Sequence, residues 1–172
     1  YEISRIPMDK SGMDVKALRM SGAEIAYVMP SHQYPTGVVM PIGRRQELLK
    51  WAAEAEGRFI IEDDHDSEFR YKGKPIPCLQ SIDRRDKVIY LGTFSKAIAP
   101  AIRISFMALP KQLLQIYKEE FQFFSSTVSR IDQRILQQFM EEGHFERHLN
   151  RMRKTYRTKH DEMLLLLKPF RK

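Results

Sequence analysis

The sequence predicts an α/β fold with a mainly parallel sheet followed by helices alone, and three observations carry that reading. Short apolar runs alternate with helical stretches over the first two thirds of the chain, the pattern of strands joined by crossover helices. Between two of those runs, Arg44 to Glu56 places Leu48, Leu49, Trp51, Ala52 and Ala55 at helical spacing, and Gly57 follows as a stop, which makes a β-α-β unit. From Pro110 onward the strand pattern ceases.

Taken in order, Ile3 to Pro7 reads as a first strand and Asp9 to Gly12 as a turn. Strands are expected at Glu24 to Met29, Arg58 to Glu62, Lys87 to Leu91 and Ile104 to Ala108, with a Gly/Pro-punctuated loop at Lys72 to Pro77. In the helical part, breaks fall at Ser125 and Ser126 and again at Gly143. Val128, Ile131, Ile135 and Phe139 make one apolar stripe, and a last helix should run from His144 to Leu167 until Pro169 ends it. The division expected is therefore residues 1–142 and a long helix over 143–172 that leads toward another domain.

Composition narrows the function classes. The 172 residues are 42% hydrophobic and 30% charged, which excludes a disordered chain. Cys78 is the only cysteine, so neither an intramolecular disulfide nor a cysteine-based metal cage can form. Charges interrupt every stretch of about 18 residues, and no signal-peptide pattern opens the chain, so a soluble, cytoplasmic protein without a membrane partner is expected. The chain opens on Tyr1 rather than Met and is read as a piece of something longer. The formal charge is +7, much of it in Arg147, Arg151, Arg153, Lys154, Arg157 and Lys159. Because Phe145, Leu149, Met152, Tyr156 and Met163 recur at helical spacing, those cations read as the solvated face of an amphipathic helix, with DNA contact the minor alternative.

The segment from Val88 to Leu109 holds the most chemistry. Its only charged residues are Lys96 and Arg103, and two cations buried unpaired would be costly, so an anion should meet them. Lys96 follows an expected strand and the small polar loop Gly92, Thr93 and Ser95, whose hydroxyls and amides suit a phosphate. A lysine amine attacks carbonyls once deprotonated, and a neighbouring cation such as Arg103 favours that. Asp63 ends another strand at the same sheet edge, where open α/β sheets bind ligands. There its carboxylate could hold a protonated ring nitrogen, with His65 facing the same side. A divalent metal on Asp63, Asp64, His65 and Asp66 is the rival, although no spaced partner set accompanies them. Asp64 and Asp66 read as acidic loop decoration. After a third strand, Pro30-Ser31-His32-Gln33-Tyr34-Pro35-Thr36-Gly37 makes a rigid turn from which His32, Gln33 or Tyr34 could reach a ring placed between Asp63 and Lys96.

In order, SHQYPTG, IIEDDHDSEFRY and YLGTFSKAIAPAIRISFM resemble the aminotransferase-type domain of the MocR/GabR group of GntR-family bacterial transcription regulators, and FMEEGHFERHLNRMRKTYRTKHDEM resembles that group as well. The resemblance implies part of the three-layer αβα large domain of fold-type I pyridoxal 5'-phosphate (PLP) transferases. Residues 1–142 would be its central part, and 143–172 would lead toward a C-terminal small domain. It implies Lys96 as the residue forming the Schiff base with PLP, Asp63 as partner of the pyridine nitrogen, and Thr93, Ser95 and Arg103 as phosphate ligands. His65 stands where the family commonly carries a tyrosine bonded to the cofactor's 3'-oxygen. Tyr34 stands where ordinary aminotransferases of this fold carry an asparagine.

The function so implied is effector sensing, in which an amino acid or amine exchanges with Lys96. DNA would be bound through an N-terminal winged helix-turn-helix outside this sequence, by a homodimer of the full-length protein. The alternative is a working class I/II aminotransferase, in which Lys96 also moves a proton on the substrate.

Overall fold

The computed structural model describes residues 2–69 and 76–170. It contains two compact units: Tyr1–Ser67, Pro75–Thr93 and Ser105–Ser125 form the first, and Glu68–Lys74, Phe94–Ile104 and Ser126–Lys172 the second.

The first unit opens with a tight hairpin in which β1 (Met8–Asp9) pairs antiparallel with β2 (Gly12–Met13). The Asp9 carboxylate accepts the Ser11 N–H at 2.7 Å, and Gly12 takes φ 100°, a conformation that glycine adopts without Cβ strain. The strand expected at Ile3 to Pro7 does not form. Pro7 has no N–H to give a ladder, and although Ile6 packs on the core, Ile3 is 88% exposed. Asp14 then caps α1 (Val15–Met20) by accepting from the Lys16 and Ala17 amides.

The central sheet has the order β3-β4-β5-β6. β3 (Ile25–Val28), β4 (Phe59–Asp64) and β5 (Val88–Thr93) are parallel, and β6 (Ser105–Ala108) joins antiparallel. α2 (Ile42–Ala53) makes the crossover between β3 and β4; it ends at Glu54, ahead of Gly57. Burial alternates along β4, so Ile60, Glu62 and Asp64 face inward while Phe59, Ile61 and Asp63 face the other way. The inward side is the core: Val15 and Leu18 of α1, Leu48, Trp51 and Ala52 of α2, with Ile60, Leu79 and Val88. Each such Val, Leu or Ile side chain, nearly solvent-free, contributes about 1.5–3 kcal/mol through its burial.

Of the charged groups buried in the same unit, Arg45 and Glu62 join separate segments of the chain. Arg45 donates to three backbone carbonyls, Met40 at 3.0 Å, Pro77 at 2.9 Å and Pro30 at 2.9 Å, and so ties the loop after β3 to the segment before α3 (Leu79–Ile82). Glu62 accepts the first two amides of α3, Leu79 at 2.8 Å and Gln80 at 2.9 Å, with Arg45 3.9 Å away. Burial pushes the Glu62 carboxyl above its ordinary value of 4.5, against the lowering effect of those two amides and of Arg45. α5 (Lys111–Glu120) closes the unit's chain.

The second unit holds α4 (Phe94–Ala97), a 3-10 turn at Pro100–Ile102, α6 (Arg130–Glu141) and α7 (His144–Leu167). Its core is Phe69, Ala97 and Leu149 with Phe145, Met152 and Tyr156 packed around them, and the Phe69 and Tyr156 rings meet edge to face at 5.0 Å. Ser129 caps α6 by accepting the Asp132 amide at 3.0 Å. Gly143, at φ 71°, separates α6 from α7, whose limits agree with the sequence reading. Lys72 to Pro75 of the expected loop lie outside the described residues.

Candidate functional site

The residues singled out in the sequence fall in both units. In the first, Asp63 lies on the sheet face opposite the helical core, near the carboxyl end of β4. The register sets Tyr27 opposite Ile61, two positions before Asp63 on the same face. From that diagonal position the Tyr27 hydroxyl donates to the Asp63 carboxylate. Partial burial, and then the hydrogen bond and charge of Asp63, push the Tyr27 phenol up to about 12.

Beside Asp63 is a depression of about 400 Å³ lined by Leu91, Gly92, Thr93, Ser105, Phe106 and Met107. Thr93 and Ser105 are opposite one another across β5 and β6, and the Ser105 hydroxyl donates to Thr93 Oγ1 at 3.4 Å. A Cβ at Gly92 would lie 2.4 Å from the Phe106 ring, so any larger residue here needs that ring to move. The polar loop expected at Gly92, Thr93 and Ser95 is absent: pairing with β6 extends β5 through Thr93, and α4 begins at the next residue.

Tyr34 is 75% exposed in a turn closed by the Gln33–Val38 bridge and by the Gly37 amide donating to the Gln33 carbonyl at 2.7 Å. The Tyr34–Pro35 peptide is cis. Asp66 is bracketed by two histidines, His32 Nδ1 at 2.5 Å and His65 Nε2 at 3.6 Å. Asp64 accepts the Tyr90 hydroxyl at 2.9 Å and the Ser67 amide at 3.1 Å. Asp64 and Asp66 are 5% and 9% exposed and bonded, which corrects their reading as acidic loop decoration. Among the described residues no group of three or more His, Cys, Asp or Glu side chains is placed to hold a metal ion.

In the second unit, the loop from Phe94 to Ile104 is closed by the Phe94 amide donating to the Ile104 carbonyl at 2.9 Å. Ala97 and Ile104 are buried and anchor it. Ser95 and Lys96 lie in α4, and Arg103 follows the 3-10 turn in the left-handed region, at φ 48° and ψ 32°. Both Lys96 and Arg103 are exposed. The burial cost that pointed to an anion therefore does not arise, because loop anchoring falls to the small and apolar neighbours and leaves the two long cations at the surface.

Sequence reasoning missed Tyr27, Ser105, Arg45 and Glu62. For Tyr27 a signal existed, its period-two placement with Ile25 in the strand before the one that carries Asp63. Ser105 lies in a strand that was expected, but its pairing with Thr93 needs the antiparallel register. Nothing local marks the carbonyl partners of Arg45, which lie up to 32 residues away.

The parallel sheet, the carboxylate at its carboxyl end and the lysine-bearing helix after the third parallel strand define an aminotransferase-type α/β domain. The model of the family described as aminotransferase class I and II matches residues 5–169, and the chain belongs to that family. It is 47% identical over 154 residues to the HTH-type transcriptional regulator YdeL of Bacillus subtilis (strain 168), covering 90% of this chain and 33% of that protein. It is 36% identical over 151 residues to the probable rhizopine catabolism regulatory protein MocR of Rhizobium meliloti, covering 88% of this chain and 30% of that one. Among solved structures, the kynurenine aminotransferase of Pyrococcus horikoshii, in complex with PMP, superposes with a TM-score of 0.81 at 32% identity, over 97% of this chain and 43% of that chain. The chain therefore spans about a third of the length of these curated relatives.

Proposed function

We propose that the chain is the PLP-binding, effector-sensing part of a bacterial GntR/MocR-type transcription regulator. One observation carries the cofactor half of the proposal: a single carboxylate, Asp63, lies at the edge of a depression otherwise lined mainly by Leu91, Phe106 and Met107. That combination fits a flat ring with one protonated nitrogen. When bound, PLP supplies an aldehyde that amines attack and a ring that withdraws electrons from the product.

In this proposal Asp63 would hold the ring nitrogen's proton, with Tyr27 fixing the carboxylate by donating to it. Thr93, Ser95 and the Arg103 guanidinium would take the phosphate, the last as a charge-assisted pair. Lys96, exposed on α4, would offer its deprotonated amine to the aldehyde and yield that place to an incoming amino acid or amine. His65 and Tyr34 would flank the ring's oxygen side. The similarity to YdeL and MocR supports the regulatory half, with DNA bound through a winged helix-turn-helix elsewhere in a full-length homodimer.

The test is borohydride reduction after PLP addition, followed by peptide mass spectrometry. A pyridoxyl adduct on Lys96, lost in Lys96→Ala, is the expected result; labelling confined to other lysines would overturn the assignment. A second reading, a working aminotransferase, is favoured by the similarity to the Pyrococcus enzyme. It predicts conversion of added PLP to PMP by an amino acid donor, which a sensor that only exchanges amines does not carry out.

A further inference from the structure

We infer that α7 carries a second, sequence-independent contact to the phosphate backbone of double-stranded DNA, along the stripe Arg147, Arg151, Lys154 and Arg157. All four are exposed, and no acidic residue occurs from 147 to 160. At 3.6 residues per turn they lie about half a turn around the helix from the side that Phe145, Leu149, Met152 and Tyr156 bury in the core. The stripe is therefore presented outward.

Elsewhere in the chain three arginines meet carboxylates: Arg19 reaches Glu54 at 2.8 Å, Arg58 reaches Glu54 at 3.3 Å and Arg44 reaches Asp9 at 2.8 Å. On α7 the acceptors are histidine nitrogens and a backbone carbonyl, and His144 in turn meets the Glu142 carboxylate at 3.1 Å. Arg147 donates to His144 Nδ1 at 2.9 Å and to the Glu142 carbonyl at 3.1 Å, and Arg151 donates to His148 Nδ1 at 3.2 Å. Among the described residues, none of the four stripe cations has a carboxylate partner. These bonds orient the Arg147 and Arg151 guanidinium groups without a direct carboxylate contact, which suits an external polyanion.

The stripe is about 15 Å long, the axial length over which each strand of a duplex carries about four phosphates. A lipid surface fits less well along the stripe, because an interfacial helix inserts apolar residues between its cations, and those between Arg147 and Arg157, namely Leu149, Met152 and Tyr156, pack in the core. The choice of DNA as the polyanion rests on the regulator reading above; the charge arrangement does not.

The experiment measures binding of the chain to a 20-base-pair duplex of arbitrary sequence between 50 and 200 mM NaCl. Replacing all four residues by Gln should reduce the slope of log affinity against log salt by about 3.6, or about 0.9 per phosphate contact. Across that salt range the wild-type chain should then lose about 150-fold more affinity than the variant. Substituting Lys for the three arginines should keep the slope, and Arg19→Gln with Arg58→Gln should leave it unchanged. If the fourfold variant misfolds by circular dichroism, Arg151→Gln and Lys154→Gln each serve alone, with a loss of about 0.9 apiece. A slope that survives in folded variants overturns the inference, as does binding to phosphatidylserine vesicles without binding to the duplex. Labelling of Lys96 is read independently, so either proposal can fail without the other.

Discussion

The Tyr27 hydroxyl and the Asp63 carboxylate depend on one another, and that pair gives the first prediction at the residue scale. A phenol held at about 12 in the folded chain and near 10 in the unfolded one favours folding fully below pH 10, and that contribution fades as pH rises through about 12. Asp63→Asn keeps a hydrogen-bond acceptor but removes the charge. The phenol should then titrate lower, though still above 10 because its partial burial persists, and stability should fall less steeply across that window. Ultraviolet titration of tyrosinate together with alkaline unfolding measures both. At this scale the place of Asp63 near the carboxyl end of a strand was legible from the apolar run before it. For Tyr27 the sequence offered only the period-two placement in the strand, because a bond between residues 36 apart depends on a register that no local pattern contains.

At the scale of elements, strand pairing decides what the periodicity leaves open. Apolar alternation located β3 to β6 to within a few residues, but strand direction has no signature in a period of two, so the antiparallel entry of β6 and the extension of β5 to Thr93 emerge only from pairing. Gly92 is where that pairing is most demanding. Gly92→Ala should cost about 1–3 kcal/mol by forcing the Phe106 ring aside. Thermal unfolding should show a lower midpoint, partly restored when Phe106→Leu is added. Arg45 has the larger effect, since it joins three backbone segments beside the buried Glu62. Arg45→Met should lose about 3–5 kcal/mol, the range for breaking one side of a buried charge pair, and denaturant titration would report it. In α6, Ser129→Ala removes the cap and should cost about 1 kcal/mol.

At the scale of the whole molecule, the composition is that of a protein with a core, yet much apolar surface is open. Phe123 is 76% exposed, Phe124 62% and Ile131 73%, and Tyr117, Phe121 and Phe124 form an exposed stack. Apolar surface on this scale drives association. Sedimentation velocity over a tenfold range of concentration should therefore show a rising average mass, and substituting Phe123 and Phe124 by Ser should reduce it. Among the described residues no helix is long and apolar enough to cross a membrane. The basic excess was visible in the composition from the start, but its partners were not, because hydrogen bonding of arginine to histidine or to carboxylate is a matter of side-chain placement.

Arg103 occupies a left-handed backbone conformation that glycine would hold without strain and that costs other residues about 1 kcal/mol. Thermodynamic fitness and ligand retention therefore pull this position in opposite directions. A library randomised at residue 103 and selected for resistance to proteolysis should enrich Gly and Asn. The same library selected for retention of pyridoxal phosphate should return to Arg, and deep sequencing of the two pools would read the conflict directly.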